Sequence, residues 1–153
     1  YRDFRNACES GNAVLLIDSE APVTVASPWE HLRNRRGDGF ERPPNASDDD
    51  CHLMVQCMES WFLADIDTLS RFFGQGFNRN ALPGTREIEQ ISREDLFTAL
   101  ANATAHCRTE GQYSKGSHSF TIIGLIDPQK VITSSPWARR FVDHLHSITQ
   151  AKS

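Results

Sequence analysis

The feature that most constrains this chain is a short apolar run closed by acids. Residues 13–17 read Ala-Val-Leu-Leu-Ile, and Asp18-Ser19-Glu20 follows at once. A continuous apolar run of this length, after a helical stretch and a Gly-Asn turn, predicts a strand buried on both faces. Such strands belong to parallel sheets covered by helices. In open α/β sheets, ligands collect beyond the carboxyl ends of the strands. Asp18 and Glu20 stand at that place. In extended backbone, two acids one residue apart share a side, and hard divalent ions favour such carboxylate oxygens. Two solvated acids at a polar strand end are the alternative.

The rest of the chain supports an α/β reading with a helical C-terminal part. Phe4, Ala7 and Cys8 share a face of a first helix over residues 2–10, with Gly11 where a capping glycine belongs. Ser27-Pro28-Trp29 starts a short helix. Residues 33–47 read as a loop. Residues 51–56 form a second strand candidate. A helical stretch follows, with Met58, Trp61 and Phe62 on one face, then Ile66, Leu69, Phe72 and Phe73 after a break at Asp65. Residues 74–84 are loop. Ser92, with Asp95 three residues on, caps a helix whose stripe is Leu96, Leu100, Ala103 and Cys107. Residues 110–119 are polar and read as a loop. Residues 120–125 are a short apolar segment, helical or extended, and Asp127-Pro128 breaks it. A last helix starts at Ser135-Pro136, with the stripe Trp137, Phe141, Leu145 and Ile148. The 153 residues fit one domain, with residues 1–65 forming the sheet part and 66–153 the helical part.

Composition removes several classes. No apolar run approaches the roughly 20 residues that a membrane-spanning helix needs, and no signal-peptide pattern is present. The four cysteines match no zinc or redox spacing. The expected setting is the cytoplasm, with reduced thiols. Walker, nucleophile-elbow and Rossmann glycine motifs are absent. The net charge of −4 does not describe a general nucleic-acid coat. Its distribution is uneven: residues 41–67 hold seven acids against Arg42, and residues 108–140 hold five bases against Glu110 and Asp127. An acidic half facing a basic half could hold metal ions and phosphates between them; two solvated surfaces are the alternative.

Four further groups join the candidates. Glu59 follows the second strand near a helix start, and would complete a carboxylate cluster with Asp18 if the strands are neighbours; helix capping is its other reading. Lys115, in Tyr113-Ser114-Lys115-Gly116-Ser117-His118, can reach a phosphate or a developing negative charge, with His118 assisting or capping. The helix start at Ser135, with Arg139 and Arg140 in its first turns, can hold an anion. Asp65 is a helix cap or a more distant member of the acidic cluster.

Several long stretches together resemble a bacterial family. They are Val14-Leu15-Leu16-Ile17-Asp18-Ser19-Glu20-Ala21-Pro22-Val23, the stretch from His52 to Asp65 with Cys57-Met58-Glu59-Ser60-Trp61-Phe62, Tyr113-Ser114-Lys115-Gly116 with His118, and Ser135-Pro136-Trp137-Ala138-Arg139-Arg140-Phe141. That family is catalogued as a domain of unknown function, number four-two-seven-six, and is similar to Toprim domains. The resemblance implies a Toprim-like, Rossmann-like fold with a mainly parallel sheet flanked by helices. It implies that Asp18 and Glu20 occupy the Asp-x-Asp pair of Toprim domains, with Glu in the second place. It further implies a glutamate-bearing first strand upstream of Tyr1, and Lys115 as the late lysine of the nuclease branch. The function it implies is a Mg²⁺- or Mn²⁺-dependent nuclease or related phosphoryl-transfer domain acting on DNA or RNA. Asp18, Glu20 and Glu59 would hold metal, and Lys115, His118, Arg139 and Arg140 would hold phosphate. Such families stand beside ATPase genes in phage-defence operons, so the alternative is a non-catalytic module that regulates an ATPase partner.

Overall fold

The computed structural model describes residues 1–9, 13–35, 37, 39–84 and 87–150. Two parallel strands, β1 (Leu15–Asp18) and β2 (Cys51–Met54), pair in the register Leu15 to Cys51 and Asp18 to Met54. The helices are α1 (Arg2–Glu9), α2 (Pro28–Asn34), α3 (Ile66–Phe73), α4 (Arg93–Thr104), α5 (Lys115–Ile123), α6 (Pro128–Ser134) and α7 (Pro136–Gln150). The architecture is α/β. Among the described residues the sheet has only these two strands, smaller than the sequence leads one to expect. The predicted glycine cap at Gly11 lies outside the described residues.

Two apolar clusters fill the interior. The first gathers Phe4, Leu15, Trp29, Leu32, Cys51, Leu53 and Val55 around the strands. The second joins Phe62, Leu69, Phe73, Leu96, Leu100 and Ile122 from the helical part. Each such side chain contributes about 1.5–3 kcal/mol on burial. Strand β2 is buried along Cys51, His52 and Leu53, whereas in β1 only Leu15 is buried and the next three residues are half-buried. Burial of β1 on both faces is therefore not seen: three of its four residues keep partial access to solvent.

Local chemistry explains the helix starts. Ser27 accepts from the Glu30 N–H, and Pro28 opens α2. Ser92 accepts from the Asp95 N–H and donates to its carboxylate, which begins α4. Asp127 caps α6 through the Gln129 N–H, with Pro128 in the first turn. The sequence reading took Asp127-Pro128 for a break. The pair does end one segment, but an acceptor followed by proline is also a helix start, and α6 follows it.

Residues 110–119 differ as well. The expected loop ends at Ser114, and Lys115 opens α5. His118 supplies the missing cap: its Nδ1 accepts the Ser114 N–H at 2.9 Å. Gly116 lowers helix propensity there, and packing of His118, Ser119 and Ile122 overrides it. Of the apolar segment 120–125, expected as helical or extended, residues 120–123 continue this helix, which ends at Ile123.

Candidate functional site

The site begins where β1 ends. The Ser19 N–H reaches the Met54 carbonyl at 3.0 Å and the Glu20 N–H reaches the Gln56 carbonyl at 2.7 Å, so strand pairing runs on past Asp18. The buried His31 bonds the Ser19 carbonyl through Nε2 at 2.9 Å, and Arg35 donates to the Asp18 carbonyl at 2.6 Å. These bonds fix the turn from two sides. Glu20 has φ 61°, the one non-glycine residue with positive φ among those described. Strand alternation thus ends at Asp18, and the argument that Asp18 and Glu20 share a side does not extend to this backbone. The Glu20 carboxylate lies 3.7 Å from Arg35 and 3.6 Å from Arg93.

Asp18 turns toward the helical part. Its Oδ1 accepts the Met58 N–H at 2.8 Å, a bond between residues 40 apart. Burial pushes its carboxyl pKa up, and the Glu59 charge pushes the same way. The Met58 N–H, Lys115 and Arg93 act in the opposite direction and do not cancel the rise.

Glu59 lies in a 3₁₀ helix, Met58–Asp65, that follows β2. In such a helix, side chains three apart are eclipsed. Glu59, Phe62 and Asp65 therefore line one inward face, and all three are buried. Glu59 is 0% exposed. Its Oε1 accepts from Ser119 Oγ at 3.0 Å and lies 3.4 Å from Lys115 Nζ. Because Ser119 spends its proton on Glu59, Tyr113 OH donates to Ser119 Oγ at 2.8 Å. Burial raises the Tyr113 phenol pKa, so that donor stays protonated. The thiol of Cys57 is pushed up to about 11 by burial and then by the Glu59 charge. Among the described residues Glu59 Oε2 has no hydrogen-bond partner within normal range, although the Cys57 thiol and the Tyr113 hydroxyl lie close enough to the carboxylate to feel it. Leaving a buried carboxylate oxygen bare is costly.

The two cations come from different helices. Lys115 Nζ sits 5.5 Å from the centre of the Phe97 ring and is 54% exposed. Arg93 stands one turn before Phe97 on α4, and residues four apart share a helix face. The sequence reading did not name Arg93. Its tie to the site runs through the Glu20 turn, and only the backbone conformation of Glu20 shows that.

The remaining candidates lie elsewhere. Arg140 donates to the carbonyls of Cys51 and Asp48, and approaches Asp49 at 3.3 Å. These groups mark the start of β2, the opposite end of the sheet from Asp18. Arg139 is exposed and, with Asp143 and His144, lines an open cavity at that end. The start of α7 already holds an anion: Glu89 Oε1 accepts from Ser135 Oγ and from the Trp137 N–H at 3.1 Å. His118 is buried, with its Nδ1 engaged by Ser114 and its ring against Phe72 and Phe73. Asp65 accepts from Thr68 Oγ1 at 2.7 Å, the Asp127 N–H at 3.1 Å and Lys130 Nζ at 2.6 Å. It ties α3 and α6 together. Of the basic segment, Lys115, Lys130 and Arg140 all pair with acids of residues 41–67, so the two charged segments do meet.

A family model matches residues 2–146, nearly the whole of this architecture. The chain belongs to the family Domain of unknown function (DUF4276). No curated protein and no solved structure matches it. Among the described residues of this DUF4276 chain, no helix is long and apolar enough to cross a membrane. Nor do three or more His, Cys, Asp or Glu side chains form a ready metal cage there.

Proposed function

We propose that this DUF4276 chain adopts a Toprim-like fold and provides a divalent-metal centre for phosphoryl transfer on nucleic acid, of nuclease type. The observation that carries the reading is Glu59, a fully buried carboxylate with one oxygen bare, set beside Asp18. Two carboxylates fit Mg²⁺ or Mn²⁺, because Mg²⁺ in phosphoryl-transfer sites is bound by one or two carboxylates, waters and substrate phosphates. Asp18 and Glu59 would hold the ion. When bound, it would supply an activated water and offset charge on the scissile phosphate. Lys115 neutralises Glu59 in the free protein and, being half-exposed, can turn to a substrate phosphate. Glu20 stands with Arg35 and Arg93 and orients cations rather than metal. His118 holds the start of α5, and so the position of Lys115. A metal ligand must be deprotonated, so the raised pKa of Asp18 makes ion binding weaken on acidification sooner than an ordinary aspartate would.

A second reading, a non-catalytic module regulating an ATPase partner, is favoured by one observation: Lys115 already gives Glu59 a cation. Calorimetry with Mn²⁺ on the wild type, Asp18→Asn and Glu59→Gln separates the two, together with cleavage assays on single- and double-stranded DNA and RNA. The metal reading expects binding that each substitution weakens about tenfold or more, and cleavage lost with either. Absence of Mn²⁺ binding by the wild type, or equal affinity in Asp18→Asn, refutes it.

A further inference from the structure

We propose that Arg93 is a phosphate-binding residue of this site, and that Arg93 and Lys115 together grip one phosphoryl group beside Asp18 and Glu59. The inference rests on the phosphoryl-transfer reading above and adds a binding residue and a ligand chemistry to it.

The first support is the state of the Arg93 guanidinium. Its side chain is 35% exposed, so most of it is covered by protein. Its ion-pair partner among the described residues is Glu20, whose Oε2 lies 3.6 Å away, beyond hydrogen-bond range. A guanidinium carries five N–H donors in a planar fork. Among the described residues none of these donors makes a hydrogen bond. Arg35 and Arg140, by contrast, are both committed to backbone carbonyls. A fork without a bonded acceptor, on a side chain that is itself partly covered, is matched to an oxyanion that presents two oxygens, as a phosphate does.

The second support is placement. Arg93 and Phe97 are four apart on α4, and the Lys115 ammonium rests over the Phe97 ring at 5.5 Å. Lys115 also faces Glu59 at 3.4 Å, and Arg93 faces the turn that follows Asp18. One helix face therefore carries an arginine on the Asp18 side and seats a lysine on the Glu59 side. Glu20 is the third support. Its carboxylate, on a residue in the left-handed conformation, holds the fork loosely at 3.6 Å. It keeps Arg93 in place in the free protein and yields to a stronger, bidentate acceptor. No covalent step is involved.

The test is binding of two probes, a fluorescein-labelled single-stranded oligodeoxynucleotide and inorganic pyrophosphate, with Ca²⁺ replacing Mn²⁺ to hold off cleavage. Arg93→Ala should weaken binding about tenfold, and lower the slope of log affinity against log salt by about 0.7 for the oligonucleotide. Arg93→Lys keeps the charge and the helix but loses the fork, and should recover only part of the affinity. Glu20→Gln, removing the competing carboxylate, should tighten binding, which a merely structural Glu20 would not do. Arg79→Ala, which removes an exposed arginine paired with Asp67, should bind like the wild type. Loss with both probes, or with only one, supports the proposal, and the probe affected tells polymer from small phosphate. Wild-type affinity in Arg93→Ala, an equal loss in Arg79→Ala, or no binding of either probe by the wild type overturns it. Mn²⁺ calorimetry keeps the two readings apart. Intact metal binding with no effect of Arg93→Ala sinks only this inference, and the reverse pattern sinks only the metal centre.

Discussion

Replacing Asp65 by Asn tests how the helical part is held. Asp65 is 2% exposed and lies at the end of the 3₁₀ helix that carries Glu59. Burial alone would raise its pKa, but bonds from Lys130, Thr68 and the Asp127 N–H outweigh that and bring it down to about 2. A group with a depressed folded pKa contributes stability above its unfolded value, and that stability is lost as pH falls through the folded one. The window here runs from about pH 4 down to about pH 2. Full conversion of the shift corresponds to about 2.5 kcal/mol. Lys130 is 43% exposed, so solvent screens the pair, and about 1.5 kcal/mol is the expected pH-dependent part. Urea unfolding followed by tryptophan fluorescence, on wild type and Asp65→Asn between pH 7 and pH 3, measures it. The gap should be widest at neutral pH and begin to close below about pH 4. A gap that stays constant down to pH 3, or no gap at pH 7, would refute the reasoning.

Two further outcomes follow from the packing. Gly76 has φ +98°, and a Cβ there would lie 2.1 Å from the His106 carbonyl oxygen; Gly76→Ala should lower unfolding stability by about 2 kcal/mol or more, whereas Gly84→Ala, where a Cβ meets nothing within 4 Å, should change little. The thiols of Cys51 and Cys57 are buried and pushed up to about 12 and about 11, chiefly by burial; at pH 8 both should resist a thiol reagent until the protein unfolds, and rapid labelling of the native protein would contradict their placement.

What the sequence made legible was local. The apolar run before Asp18 points to a strand, and the structure has one over Leu15–Asp18. Ser27 and Ser92 stand before helices because their side chains meet N–H groups three residues on, within a single turn. The break at Asp65 was visible for the same reason: the residue caps α3. Misreadings arose where one pattern has two local meanings. Asp127-Pro128 ends one segment and starts another, and a polar stretch with Gly116 reads as loop until His118 turns back to cap it. The site's cations were harder still. Arg140 looked like an anion-binding arginine, but its carbonyl partners lie about 90 residues away in the chain. Glu89 fills the start of α7 from 46 residues upstream. Nothing in the composition near Ser135 announces that.

The position of Asp18 and Glu59 also follows from how the two apolar clusters meet. Asp18 ends the strand cluster, and Glu59 opens the helical one. The Asp18–Met58 bond crosses between them where the chain passes from Val55 to Cys57. A seam of this kind cannot close on apolar contact alone, because backbone groups leave the sheet there and need partners. Asp18 satisfies one, and Arg35 and His31 satisfy two others. Glu59 is different, since its bare oxygen serves no backbone group. The flanking clusters, with Asp65 holding the far end of the same 3₁₀ helix, offset its cost and keep it from turning out to water. A buried carboxylate oxygen without a hydrogen-bond partner, near a second acid of raised pKa, is the arrangement on which the proposed metal centre rests, and Lys115 reaches only its Oε1, at 3.4 Å.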